Sequence, residues 1–278
     1  MAATVKGRAD GPGVALCTIA FREKLLDDAL DIARCIGFEA VELWGREPHV
    51  AEAYDYNRTR LIKQKCEERR LTIAALGSYL RFGATRKNSA TADLRNILQT
   101  AYTLRAPIIR VWASDVGSAE ASPQIWKKTV AEAREACQRC QKLGITLAVE
   151  MHDNTLADTA DSTLRLIEEV GCDNFRVNYQ PSAIEGMEDP IQRLEKVLSH
   201  VVHCHAQNFS CLGRPDGVAP QRSSLREGLI DYREIVERLL AADFKGWIAV
   251  EFAHTEGDGK FAALAEDLEY LTELLSSS

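Results

Sequence analysis

The chain has 278 residues, 46% hydrophobic and 27% charged, with a formal net charge of −7 and a sequence pI near 5.5. This is ordinary globular composition at a length close to the ~250 residues of an α/β barrel. The acidic balance argues against nucleic-acid binding, which needs clustered Lys and Arg. No run approaches the ~18 apolar residues of a membrane span.

The first residues, 1–13, lack an apolar signal core and read as a flexible lead-in to a single domain over 14–278. Eight cysteines are dispersed along the chain. A disulfide framework belongs to small secreted domains, so these predict reduced thiols in a cytoplasmic protein. Cys137 and Cys140 form a CxxC inside a helical stretch without a second pair, and read as buried small side chains.

Short β-rich runs alternate with helical patterns eight times. The predicted strands are Val14–Ile19, Ala40–Trp44, Ile73–Leu76, Ile108–Val111, Thr146–Glu150, Phe175–Tyr179, Val201–His205 and Trp247–Glu251. Between them the spacing predicts helices such as Leu25–Cys35, Ala92–Leu104, Pro123–Leu143, Thr159–Val170, Tyr232–Ala242 and Phe261–Leu275. Gly37, Gly144, Gly171 and Gly246 stand where left-handed helix ends would lead into strands. Strict alternation implies parallel strands with right-handed crossovers. Ala20-Phe21-Arg22-Glu23 after the first strand is no Gly-rich dinucleotide loop, so a closed (β/α)8 TIM barrel is expected over an open sheet. Ala206–Gly228 is predicted as one long loop and candidate flap.

Barrel chemistry sits at the carboxyl ends of the strands. Glu150 and His152 share a face at the end of the fifth strand, Asn178 and Gln180 follow on the sixth, His203 and His205 on the seventh, and Glu251 closes the eighth. Any one of these is ordinarily a rim or core group. Four consecutive strands ending in oxygen or nitrogen donors are harder to dismiss, because adjacent buried carboxylates need a cation or protons to compensate them. A divalent ion is the expected cation. The mixed O/N donors favour Mn2+ or Mg2+, with Co2+ and Zn2+ as alternatives.

Val41-Glu42-Leu43-Trp44, Arg110-Val111-Trp112, Glu150 through Leu156, His203-Cys204-His205 and Gly246 through Glu251 together resemble the xylose-isomerase-like barrel superfamily, and within it the sugar phosphate isomerases/epimerases. The resemblance runs from Val14 to about Leu275. It implies metal ligands at Glu150, Gln180, His205 and Glu251, with Gln180 in place of the family's usual Asp. It also implies a metal-dependent isomerase or epimerase acting on a keto-sugar or polyol through proton abstraction beside a carbonyl and an enediolate. Glu150 and Glu251 would act as acid/base groups as well as ligands, with His152 as a further base.

Trp112 and Trp44 are candidate walls for a sugar face, and Arg226 and Arg214 candidate binders of a polar substituent. One alternative within the same chemistry is a metal-dependent lyase or dehydratase acting on a keto-sugar or cyclic polyol, including elimination from 3-keto-glycosides. Another is a non-catalytic carbohydrate-binding barrel in which Gln180 marks a degenerate site. An abasic-site endonuclease would need a basic groove and more metal-binding His and Asp than six histidines offer. The expected partner is a small carbohydrate, with no nucleic acid and no membrane, and a homo-oligomer remains compatible with the exposed barrel rims.

Overall fold

The computed structural model describes residues 11–85, 92–214 and 217–277. Most of the lead-in lies outside the described residues; the first strand begins at Gly13. Eight parallel strands close into a barrel: β1 (Gly13–Cys17), β2 (Ala40–Trp44), β3 (Thr72–Phe82), β4 (Ile108–Ala113), β5 (Thr146–Glu150), β6 (Phe175–Tyr179), β7 (Val201–Ala206) and β10 (Trp247–Val250), with β10 pairing β1 to complete the ring. Their outer faces, such as Val41 and Leu43 on β2 and Leu147 and Val149 on β5, are buried in the main apolar core. The surrounding helices are α1 (Leu26–Ile36), α2 (Tyr56–Glu68), α3 (Leu94–Leu104), α4 (Pro123–Gln141), α5 (Ala160–Val170), α6 (Pro190–Val197), α7 (Tyr232–Ala241) and α8 (Gly259–Ser276).

Local chemistry sets the helix starts. Asp55, Asp93, Ser122, Thr159, Asp189 and Asp231 each accept a backbone N–H of the first turn, and Thr159 with Ser162 forms a reciprocal capping pair. Gly37 and Gly171 take the left-handed conformation at helix ends, and Gly144 follows α4 with φ +68°. Gly246 departs from expectation. It is absent from the left-handed region, which Asp243 occupies after α7. Its role is close packing, since a Cβ there would lie 2.3 Å from the Val202 carbonyl oxygen.

The segment Ala206–Gly228 is also more ordered than predicted. Within it β8 (Asn208–Cys211) and β9 (Gln221–Ser223) pair antiparallel as a hairpin beside the barrel mouth. Asn208 anchors its base, donating to the Leu225 and Ile230 carbonyls and accepting from the Ile230 N–H. Among the described residues no helix is long and apolar enough to cross a membrane. All eight cysteines are free thiols. Cys137 and Cys140 lie buried in α4, and burial pushes the Cys140 thiol up to about 12, away from reactivity.

Inside the barrel, small residues from several strands leave room for polar ones. Ala15, Ala40, Ala74 and Ala249 form one inner cluster, and Ala75 and Ala148 another. Gly77 on β3 contributes by lacking a side chain: a Cβ would sit 2.5 Å from Glu42 Oε1 and 3.2 Å from Arg110 Nη2. The space so made is filled by Glu42, Arg110, Asn178 and His203, all buried.

Candidate metal centre

Strand parity aims Glu42, Arg110, Glu150, Asn178, His203 and His205 into the barrel, and Gln180 and Glu251 follow the last residues of β6 and β10. One donor atom each from Glu150, His205 and Glu251 lies within 4.8 Å of the others. His205 Nδ1 stands 3.9 Å from Glu150 Oε1, 3.8 Å from Glu251 Oε1 and 2.9 Å from Gln180 Oε1. The four strand-end donors therefore meet around one imidazole nitrogen. Glu251 Oε2 has no hydrogen-bond partner among the described residues, although it is buried.

A layer that had no assigned role in the sequence holds these groups. Glu42 Oε2 accepts from His203 Nε2 at 2.7 Å and from His205 Nε2 at 2.9 Å. The second bond fixes the His205 ring with Nδ1 toward Gln180 and the two carboxylates. Arg110 Nε pairs with Glu150 Oε2 at 3.0 Å and approaches Glu42 Oε1 at 3.7 Å, while its Nη1 donates to the Ser78 carbonyl.

The charges fit a dication. Glu42, Glu150 and Glu251 contribute three negative charges in a buried region and Arg110 offsets one, leaving two. Without a cation, protons do part of that work. Burial alone would depress the His205 pKa, but Glu42, Glu251 and Glu150 outweigh it and push it up to about 9. Burial, reinforced by Glu150, raises Glu251, whereas His205 and His203 overcome burial and hold Glu42 well below the usual carboxylate range. Two carboxylate oxygens, an amide oxygen and an imidazole nitrogen are a donor set suited to a hard or borderline divalent ion.

Above this floor lies a cavity of about 260 Å³ whose wall includes Glu150, His152, Gln180, Glu251, Trp112 and Arg222. His152 Nδ1 lies 2.9 Å from the Asp153 backbone carbonyl. A carbonyl only accepts, so Nδ1 carries the proton and Nε2 of the neutral ring keeps its lone pair. Trp112 meets His152 edge-on at 5.9 Å and stacks under Arg81 and Arg110.

The other sequence candidates lie elsewhere. Trp44 is not part of the cavity wall; its indole N–H donates to the Tyr79 hydroxyl at 2.7 Å. Arg226 is exposed, paired with Glu273 and stacked on Tyr270 of α8. Arg214 is exposed in the connection between β8 and β9, where its backbone N–H donates to the Val218 carbonyl. The loop arginine that does reach the cavity is Arg222 on β9, with its guanidinium 4.0 Å from the centroid of the Phe252 ring. Composition marked the loop as arginine-bearing, but only the hairpin pairing decides which arginine borders the cavity, where Arg222 remains exposed.

Comparison with known proteins agrees with this architecture. Residues 30–274 match the family described as xylose isomerase-like TIM barrel, and the chain belongs to it. It is 28% identical over 247 residues to a 3-dehydroshikimate dehydratase of Bacillus anthracis, covering 82% of this chain and 87% of that one. An inosose dehydratase of Geobacillus kaustophilus is 27% identical over 138 residues, 45% of each chain. Among solved structures, a probable 3-DHS dehydratase from Bacillus anthracis superimposes with a TM-score of 0.73 at 25% identity, covering 94% of this chain and 98% of that one.

Proposed function

We propose that the protein is a divalent-metal-dependent dehydratase, removing water from a cyclic keto-polyol. The observation that carries the reading is the convergence of Glu150, Gln180 and Glu251 oxygens on His205 Nδ1 at the cavity floor. The extended likeness to a dehydratase supports elimination over the isomerisation or epimerisation that the sequence pattern favoured. Glu150, Gln180, His205 and Glu251 would hold the ion. When bound, it supplies Lewis-acid polarisation of the substrate carbonyl and so acidifies the neighbouring C–H bond.

The chain's own groups then do the proton work. His152 lines the cavity, its Nδ1 is committed to the Asp153 carbonyl, and through the Nε2 lone pair of its neutral ring it would take the proton from the carbon beside the carbonyl. The electron pair released from that C–H bond forms a carbon–carbon double bond as the C–O bond of the β-hydroxyl breaks. The proton taken up by His152 is then delivered to the departing hydroxide, which leaves as water and returns the ring to its neutral form, while Glu251 stays ionised as a holder of the ion. Trp112 and Phe252 limit access of solvent to the reacting face.

The test is incubation of Mn2+-loaded protein with 3-dehydroshikimate and, separately, with an inosose in deuterated water. Mass spectrometry should find a product lighter than substrate by one water. A product of unchanged skeletal mass that has gained deuterium would replace this reading with isomerisation or epimerisation.

A further inference from the structure

Cys17 takes no part in the site described above, yet it stands beside it. It ends β1, where the register sets it against Glu42 of β2, and it packs inside the barrel with Ala15, Ala40 and Ala249. Ala249, the register partner of His205 on the intervening strand β10, adds only a methyl group to this part of the interior. The Cys17 thiol, a Glu42 carboxylate oxygen and a His205 ring nitrogen lie within 4.8 Å of one another, all on buried residues. Bonds of ~2.3 Å to sulfur and ~2.0–2.2 Å to nitrogen and oxygen span about that distance across one ion. Glu42 lies on the Nε2 side of the ring, and the Gln180, Glu150 and Glu251 oxygens gather at Nδ1. His205 thus stands between two donor clusters, one at each nitrogen.

We propose that Cys17, Glu42 and His205 form a second cation site, for a thiophilic ion such as Zn2+ or Cd2+, whose occupancy excludes an ion from Glu150, Gln180, His205 and Glu251. A neutral imidazole has one lone pair, so the ring serves one cluster or the other. With its proton on Nε2, the ring donates to Glu42 and turns the lone pair toward the oxygen-rich cluster. With its proton on Nδ1, it donates to Gln180 Oε1 at 2.9 Å, and the Nε2 lone pair faces Glu42 and Cys17. In either state His203 Nε2, 2.7 Å from Glu42 Oε2, holds that carboxylate in place. The two clusters differ in softness: oxygen donors suit Mg2+ and Mn2+, whereas a thiolate selects Zn2+ and its heavier relatives. Thiolate and Glu42 together supply the two negative charges that balance a buried dication. Without a cation, burial and the Glu42 and Glu251 charges hold the Cys17 thiol protonated, and the ion takes the place of that proton. The inference depends on His205 serving the first site and not on the reaction performed there.

The experiment titrates the metal-stripped full chain with Cd2+ under reducing conditions and follows the ultraviolet thiolate-to-cadmium charge-transfer absorbance. Wild type should develop this band as one ion binds. Cys17→Ser and Cys17→Ala should lose it while binding Mn2+ within about twofold of wild type, which also reports an intact barrel. In Mn2+ at about ten times its dissociation constant, the Cd2+ midpoint in wild type should rise about tenfold, as competition for one ring demands. A band of undiminished amplitude in both Cys17 variants would place the cadmium on other thiols, such as the exposed Cys35 and Cys211, and overturn the second site. Absence of the band from wild type that still binds Mn2+ would overturn it as well and leave the first site standing. A Cd2+ midpoint unmoved by Mn2+ would overturn the exclusion of one ion by the other.

Discussion

Glu42 and His205, on strands β2 and β7, are joined by a 2.9 Å hydrogen bond between Oε2 and Nε2, and this bond determines which imidazole nitrogen faces the cavity floor. A carboxylate in this position holds the ring's orientation and makes the opposite nitrogen a better donor. Glu42→Gln keeps the shape but removes the charge and adds a competing N–H. The variant should stay folded by circular dichroism and bind Mn2+ about 10- to 100-fold more weakly in calorimetric titration. Unchanged affinity would show that the His205 ring is positioned without Glu42.

Arg110 is the cation buried between Glu150 and Glu42. Arg110→Met fills much of the volume but leaves two carboxylates without their partner, at about 3–5 kcal/mol. The metal-free variant should melt on the order of 10 °C lower than wild type. Added Mn2+ should restore part of that loss, because the dication replaces the missing charge. A melting temperature equal to wild type would mean that protons on Glu150 or Glu251 already neutralise the site.

The raised His205 pKa gives the metal-free protein a specific pH dependence. An imidazole near 6.5 when unfolded and pushed up to about 9 when folded binds more protons in the native state between those values. Its contribution to stability is complete below about pH 6.5 and is lost as pH rises through about 9. Metal binding should remove this proton, so Mn2+ affinity should increase with pH over the same window. Titrations in two buffers of different ionisation enthalpy measure the proton released; identical heats in both would contradict a protonated His205.

Gln180 is the donor that departs from the pattern of the family, and its Oε1 lies 2.9 Å from His205 Nδ1. Gln180→Asp adds a negative charge at the same strand end. If the amide oxygen is a ligand, the substitution should tighten Mn2+ binding and leave turnover level or lower, since added charge weakens the ion as a Lewis acid. Equal affinities for variant and wild type would exclude Gln180 from the coordination sphere.

Much of this architecture is legible in the chain because barrel strands obey a parity rule. Thr146–Glu150 and Phe175–Tyr179 were bounded by their own periodicity and turn residues, and parity alone aimed Glu150, Asn178, His203 and His205 inward. The same rule applies to Glu42 and Arg110, but a charged residue inside a short apolar strand carries no mark of its partner. Their roles depend on cross-barrel contacts such as His203–Glu42, separated by 161 residues. The loops were less legible still. Arg214, Arg222 and Arg226 look alike in sequence; the antiparallel pairing of β8 with β9 places one beside the cavity and leaves another to pair with Glu273. Trp44 reads in sequence as packing or as a sugar wall alike; its indole N–H donates to the hydroxyl of Tyr79, which itself borders the cavity.

The most direct test of the account is calorimetric titration of metal-stripped protein with Mn2+, run in parallel on wild type, Glu150→Gln and Glu251→Gln. The strand-end donors and their two uncompensated charges predict one ion per chain in wild type, with affinity lowered at least tenfold by either substitution. No binding by folded wild type, or affinity unchanged in both variants, would contradict a metal centre built on Glu150, Gln180, His205 and Glu251.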